Sequence, residues 1–130
     1  MKWIRLFVLM FCLPFAAVAL GAESAATLSS RLTGMWMEYS PSSNLVRFER
    51  DGGTRLYLKK GEIGNLRALE GTWSVSESGI LTVTYTVATK SITLEARLTF
   101  EGEEMVLTES DGAQTRHRRH TGPVPEIYLW

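Results

Sequence analysis

GILTVTYTVATKSITLEARLTF, residues 79–100, is the stretch that decides how this chain folds. Leu81, Val83, Tyr85 and Val87 occupy every second position with Thr82, Thr84 and Thr86 between them. After Ala88-Thr89-Lys90, Ile92, Leu94, Ala96, Leu98 and Phe100 alternate in the same way with Thr93, Glu95, Arg97 and Thr99. Side chains on a strand point alternately to opposite faces, so a period of two puts every large apolar residue on one side. Two strands are predicted, each with one buried and one solvated face, and the short break between them makes them an antiparallel hairpin.

The same period extends in both directions. Residues 44–50, NLVRFER, are closed by Asp51-Gly52-Gly53 and followed by TRLYLKK, a hairpin around a glycine-containing loop. Leu-x-Gly-x-Trp occurs twice, as LTGMW at 32–36 and LEGTW at 69–73, and strand geometry puts the leucine, glycine and tryptophan of each copy on one face. In the second copy, Gly71 is expected to leave room for an indole approaching from across the fold. Turns at the Gly, Asp, Asn and Ser clusters divide the chain into eight strands, at 33–39, 44–50, 54–60, 68–76, 80–87, 91–100, 105–109 and 113–120. The segment before them, AESAATLSSRL, reads as loop or a single helical turn.

Short linkers make sequential neighbours pair antiparallel. An open sheet of eight such strands would leave one long apolar face in water, whereas closure buries that face and removes the edges. The expected fold is therefore all-β, a small up-and-down antiparallel barrel rather than a sandwich. Its inward set is Trp36, Val46, Phe48, Leu56, Leu58, Leu69, Trp73, Val75, the apolar alternation of 81–100, and Leu107. A barrel of this size is either filled by side chains or holds one small ligand. So many large inward residues predict filling, with at most a shallow cavity at one mouth.

The first 22 residues read as a separate unit. Lys2 and Arg5 precede an apolar run from Leu6 to Leu20, and Gly21 and Ala22 follow it, the build of a secretory signal peptide. The run contains Pro14 and is shorter than the roughly 20 residues of a bilayer span. Expected boundaries are a leader at 1–22, a barrel at 23–122 and a tail at 123–130, with the mature protein periplasmic or extracellular. Cleavage after Ala22 removes Cys12, the only cysteine, so the core must hold without disulfides. It also lowers the basic residues from 14 to 12 against 14 acidic ones, about −2 in all. That balance argues against nucleic acid, whose binders carry a basic surplus.

Gly34-Met35-Trp36, on the first strand after an exported leader and ahead of a meander of eight strands, resembles the G-x-W signature of the lipocalins and the wider calycin group. The resemblance implies that Trp36 lies at the closed end of a barrel under an arginine of the last strand. That strand reads QTRHRRH, so Arg116, Arg118 or Arg119 would supply the arginine, with Arg116 and Arg118 favoured because they share a face. The Thr-Asp motif of lipocalins is absent from the matching turn, Glu101-Gly102-Glu103-Glu104, so the likeness is to compact lipocalin-like domains of bacterial envelope proteins, and no specific ligand carries over.

The function this implies is binding of a small hydrophobic ligand with one polar end, at a site drawn from Trp36, Trp73, Tyr85, Arg116 and Arg118. The alternative is a filled barrel that serves as an interaction module for an envelope protein, such as an inhibitor, an immunity-type protein or an assembly subunit. A third reading, an outer-membrane barrel, comes from the aromatic terminus EIYLW. Strands shorter than the 9–11 residues of a membrane strand, together with Pro123 and Pro125, count against it. No catalytic set is predicted: Gly-x-Ser-x-Gly is missing and no cysteine survives processing. His117 and His120, three apart, face opposite sides of a strand, so neither a metal nor another cofactor is expected. RHRRH at 116–120 reads as a solvated basic edge able to attract an anionic partner or a membrane surface.

Met35, Met37 and Tyr39 then fall on the outer wall, an apolar row that needs a cover. Within the chain the tail Ile127-Tyr128-Leu129-Trp130 is the candidate, and a second copy of the protein is the alternative cover.

Overall fold

A computed structural model describes residues 23–130. The expected leader lies outside the described residues.

The described residues form an α-helix, α1 (Ala25–Leu32), eight strands, β1 (Gly34–Ser40), β2 (Leu45–Phe48), β3 (Gly53–Tyr57), β4 (Ala68–Val75), β5 (Ile80–Val87), β6 (Lys90–Glu101), β7 (Glu104–Thr108) and β8 (Gln114–Arg119), and a 3-10 turn at Glu126–Tyr128. Each strand pairs antiparallel with its neighbour, and β1 pairs with β8 to close an up-and-down barrel. The longest pairing, Ile80↔Arg97 through Val87↔Lys90, is the hairpin of 79–100.

The N-terminal segment makes two helical turns where a loop or one turn was expected. Ser24 caps it, its hydroxyl accepting from the Thr27 N–H, and Glu23 pairs with Arg31 at 2.7 Å. Its apolar face, Leu28 and Leu32, is buried in the barrel core and plugs one end. Tertiary burial, rather than propensity, sustains so short a helix.

The plug explains Gly34-Met35-Trp36. The last carbonyls of a helix have no partner within it. Here the Trp36 indole donates to Leu32 O at 2.8 Å, and the Arg119 guanidinium donates to Arg31 O at 2.7 Å and Thr33 O at 2.8 Å. The same guanidinium lies 4.3 Å from the Trp36 ring centre. Gly34, at φ +124, makes room for it: a Cβ there would stand 2.5 Å from Arg119 Nη1. The arginine over Trp36 is thus Arg119, not Arg116 or Arg118. On β8 the inward residues are Thr115, His117 and Arg119, while Arg116 and Arg118 point outward to Glu101, Glu104 and Tyr39.

All the expected inward residues join the core or pack against it except Ile92, which is 36% exposed near the open β5–β6 turn. Gly71 admits no indole. What approaches it is the backbone of β5, with Thr84 O only 1.8 Å from where a Cβ would be. Trp73 is half-buried, edge-on to Phe48 at 5.7 Å, and donates to Glu49 O.

A second, smaller core lies outside the barrel. Met37, Leu45 and Tyr57 are register neighbours across β1, β2 and β3, and this outer ladder is covered by Tyr128, which is 5% exposed. The tail is pinned by Trp130, whose indole donates to Leu58 O at 3.0 Å under the Arg67 guanidinium. Removing residues 123–130 should cost roughly 2 kcal/mol or more from the lost burial of Tyr128 alone, and bare Met37, Leu45 and Tyr57. Thermal unfolding and binding of a hydrophobic dye check this; an unchanged melting temperature with no dye bound would rule the cover out.

Candidate functional site

Away from the helical plug the barrel is hollow. A cavity of about 280 Å³ opens at the end rimmed by Pro41, Ser42 and Asn44 of the β1–β2 loop and by Ala113 of the β7–β8 turn. Its floor and far wall are apolar: Val46 and Phe48 from β2, Leu56 from β3, Leu81, Val83 and Tyr85 from β5, Leu94 from β6 and Leu107 from β7. This is the inward face that the period-two pattern predicts, but it lines a space instead of filling one. The expectation of a filled barrel is corrected for this half. The large side chains that fill, Leu28, Leu32, Trp36 and Phe100, crowd the closed end.

The near wall is polar and comes from three adjoining elements. Glu38 of β1, His117 and Thr115 of β8, and Glu109 at the end of β7 all line the cavity. Glu38 and His117 are register partners, and Glu38, Glu109 and His117 are each no more than 6% exposed. The Glu38 carboxylate accepts from the Ser42 N–H at 3.1 Å and the Asn44 side-chain amide at 3.2 Å, which ties the β1–β2 loop to the rim.

His117 is the residue the sequence reading misplaced. Instead of a solvated basic edge, it is a buried side chain whose pKa burial pushes down to about 4, outweighing the opposing pull of the Met105 backbone beside it. Its ring is therefore neutral near pH 7. Nε2 stands 3.9 Å from Glu38 Oε1, beyond hydrogen-bond reach, and Nδ1 makes no hydrogen bond of acceptable geometry. His120 lies apart, its ring nitrogen 2.9 Å from Pro123 O.

A proton prefers the unfolded chain, where a histidine has its ordinary pKa near 6.5. Stability is complete above that pH and falls as pH drops toward 4, by about 2 kcal/mol between pH 7 and pH 5. The carboxylates of Glu38 and Glu109 face the same space. The difference between the parent and His117→Gln in urea unfolding at the two pH values isolates the histidine.

Of the expected ligand-binding residues, Tyr85 lines the cavity. Its burial pushes the phenol up to about 12, partly offset by the neighbouring Thr54 hydroxyl, so it remains protonated and able to donate. Trp36 seals the opposite end, Trp73 packs on Phe48 beside the β2–β3 turn, and Arg116 and Arg118 sit on the outer wall in ion pairs with Glu101 and Glu104. None of these four lines the cavity. Glu38, Glu109 and Thr115, which do, carried no period or motif that singles them out. Glu38 shares a face with Trp36 two positions away, and that alternation is the one signal that could have found it.

Among the described residues no group of three or more His, Cys, Asp or Glu is placed to hold a metal ion. Comparison with protein-family models, with curated proteins and with solved structures finds no match to this chain.

Proposed function

We propose that this protein is an exported, lipocalin-like barrel that binds a small, largely apolar molecule in its open end without transforming it. The observation that carries the reading is the cavity of about 280 Å³, walled by inward side chains of β2, β3, β5, β6 and β7 and open at one rim. It is close to the lower end of the volumes typical of small-molecule sites. Lipocalin-like membership rests on the closed eight-strand meander and on the Gly34-x-Trp36 pair under Arg119. Export rests on the leader pattern of residues 1–22.

The outer wall favours water over lipid: Arg55, Glu70, Thr84, Thr93, Glu95 and Arg97 occupy outward positions of β3 to β6, where a membrane barrel needs an apolar band. A second reading, an interaction module for an envelope protein, draws on exposed apolar residues of the tail and the β3–β4 loop. Ile127 and Leu129 are 54% and 62% exposed, and Ile63 is 43%.

Native mass spectrometry of the protein purified from its own envelope fraction separates the two. A co-purifying small molecule, lost on unfolding, is the expected result. A stoichiometric protein partner with no small molecule would replace the ligand-binding reading with the second one.

A further inference from the structure

The cavity has two unlike walls, and their chemistry selects the ligand. We infer that the barrel takes a cationic amphiphile, a protonated amine on a small apolar or aromatic body, with the ammonium against Glu38 and Glu109. This rests on the ligand-binding reading above and narrows it.

Charge is the first argument. Among the described residues two carboxylates line the cavity, and no lysine or arginine does. The basic residues of β8 that would attract an anion are engaged elsewhere: Arg116 and Arg118 with acidic groups outside, Arg119 with the helix carbonyls. A carboxylate or phosphate entering here would meet like charge in a desolvated space, whereas a cation would meet its opposite.

Neutralisation is the second. The donors on Glu38, the Ser42 N–H and the Asn44 amide, are both uncharged, and its ion-pair neighbour is His117, which burial keeps neutral. The carboxylate is thus hydrogen-bonded but not charge-compensated by these groups. Buried charges are costly unless paired, and an ammonium beside Glu38 would supply the missing charge. An ammonium has three donors, enough to reach more than one acceptor of the near wall.

Placement is the third. His117 is 3% exposed, and a neutral imidazole offers one acceptor nitrogen as well as one donor. The Thr115 hydroxyl, also without a hydrogen-bond partner, lines the same wall. Opposite them stand Val83, Leu94 and Phe48, so one end of a ligand is offered hydrogen bonds while the other is offered only hydrocarbon. Tyr85, protonated and on the apolar side, adds an aromatic face for the body of the molecule.

Three probes of matched size test this on the purified full-length chain: 2-phenylethylamine, 2-phenylethanol and 3-phenylpropionate, titrated by calorimetry at pH 7. The amine should bind roughly ten- to a hundredfold more tightly than the alcohol, the range of a hydrogen bond to a charged group, and the acid should bind weakest. Glu38→Gln should remove most of that preference while the alcohol binds as before. Glu109→Gln, tested separately, guards against loss of the β1–β2 loop in the first variant. Equal or tighter binding of the alcohol or the acid would overturn the cationic assignment and leave the cavity as a ligand site. Failure of all three at millimolar concentration, with the fold intact by circular dichroism, would overturn both.

Discussion

Trp36→Ala should unfold this protein at markedly lower denaturant, with a loss of about 3–5 kcal/mol, the usual cost of truncating a buried tryptophan. The indole is 2% exposed, lies 6.0 Å from Phe100 and donates to the helix carbonyl of Leu32, so its removal opens a cavity and strips a helix end together. Arg119→Ala should cost less, about 1–2 kcal/mol, because it removes the cation over the ring and two charge-assisted donors from a partly solvated position. The double variant should be less destabilised than the sum of the two, since both side chains act on the same helix terminus. Trp36→Phe isolates the hydrogen bond, keeping an aromatic plug but leaving Leu32 O without that donor. Urea unfolding of the four chains measures the cycle. Strict additivity would mean that Trp36 and Arg119 stabilise the barrel independently.

Gly71→Ala is expected to be as severe, at roughly 3 kcal/mol or more, at the high end for an overpacking substitution. The methyl carbon would lie 1.8 Å from Thr84 O and 2.9 Å from Tyr85 Cα. Both are backbone atoms of β5, so no side chain can rotate away, and relief requires β4 to lift from a pairing that runs from Glu70↔Thr86 to Val75↔Leu81. Gly102→Ala is the matched control. Its φ of +64 strains an alanine, but nothing stands within 4 Å of the added atom, so a loss of about 1–2 kcal/mol is expected. Comparable losses in the two variants would show that space at Gly71 is not what demands glycine.

The two Leu-x-Gly-x-Trp copies, alike in sequence, therefore use glycine for different reasons. In the first, Gly34 yields to a side chain arriving from the far end of the chain; in the second, Gly71 yields to the neighbouring strand's backbone. Leucine, glycine and tryptophan recur at the same spacing in both, and only the closed barrel brings Arg119 to one and Thr84 to the other.

What the sequence by itself determined is the wall. Alternation in 79–100 and 44–60 settles which residues of four strands face inward, because a strand with one apolar face has a single register that buries it. Closure follows from eight short-linked strands with one greasy side, and the covering of Met37 by Tyr128 follows from an apolar outer row beside an apolar tail. The tertiary structure alone decided the last strand and the interior. QTRHRRH has no apolar residue to declare its inner face, and β8 meets β1 through a register irregularity between Glu38 and Ser40, so the inward set Thr115, His117 and Arg119 was invisible to a hydrophobic period. The cavity was invisible for a related reason. Inward residues are the same whether they meet across a barrel or stop short of one another, and the difference lies in where the helix plugs. Leu28 and Leu32 fill one end, no element among the described residues fills the other, and Glu38, Glu109 and His117 are buried there by the shape of the barrel rather than by their own chemistry.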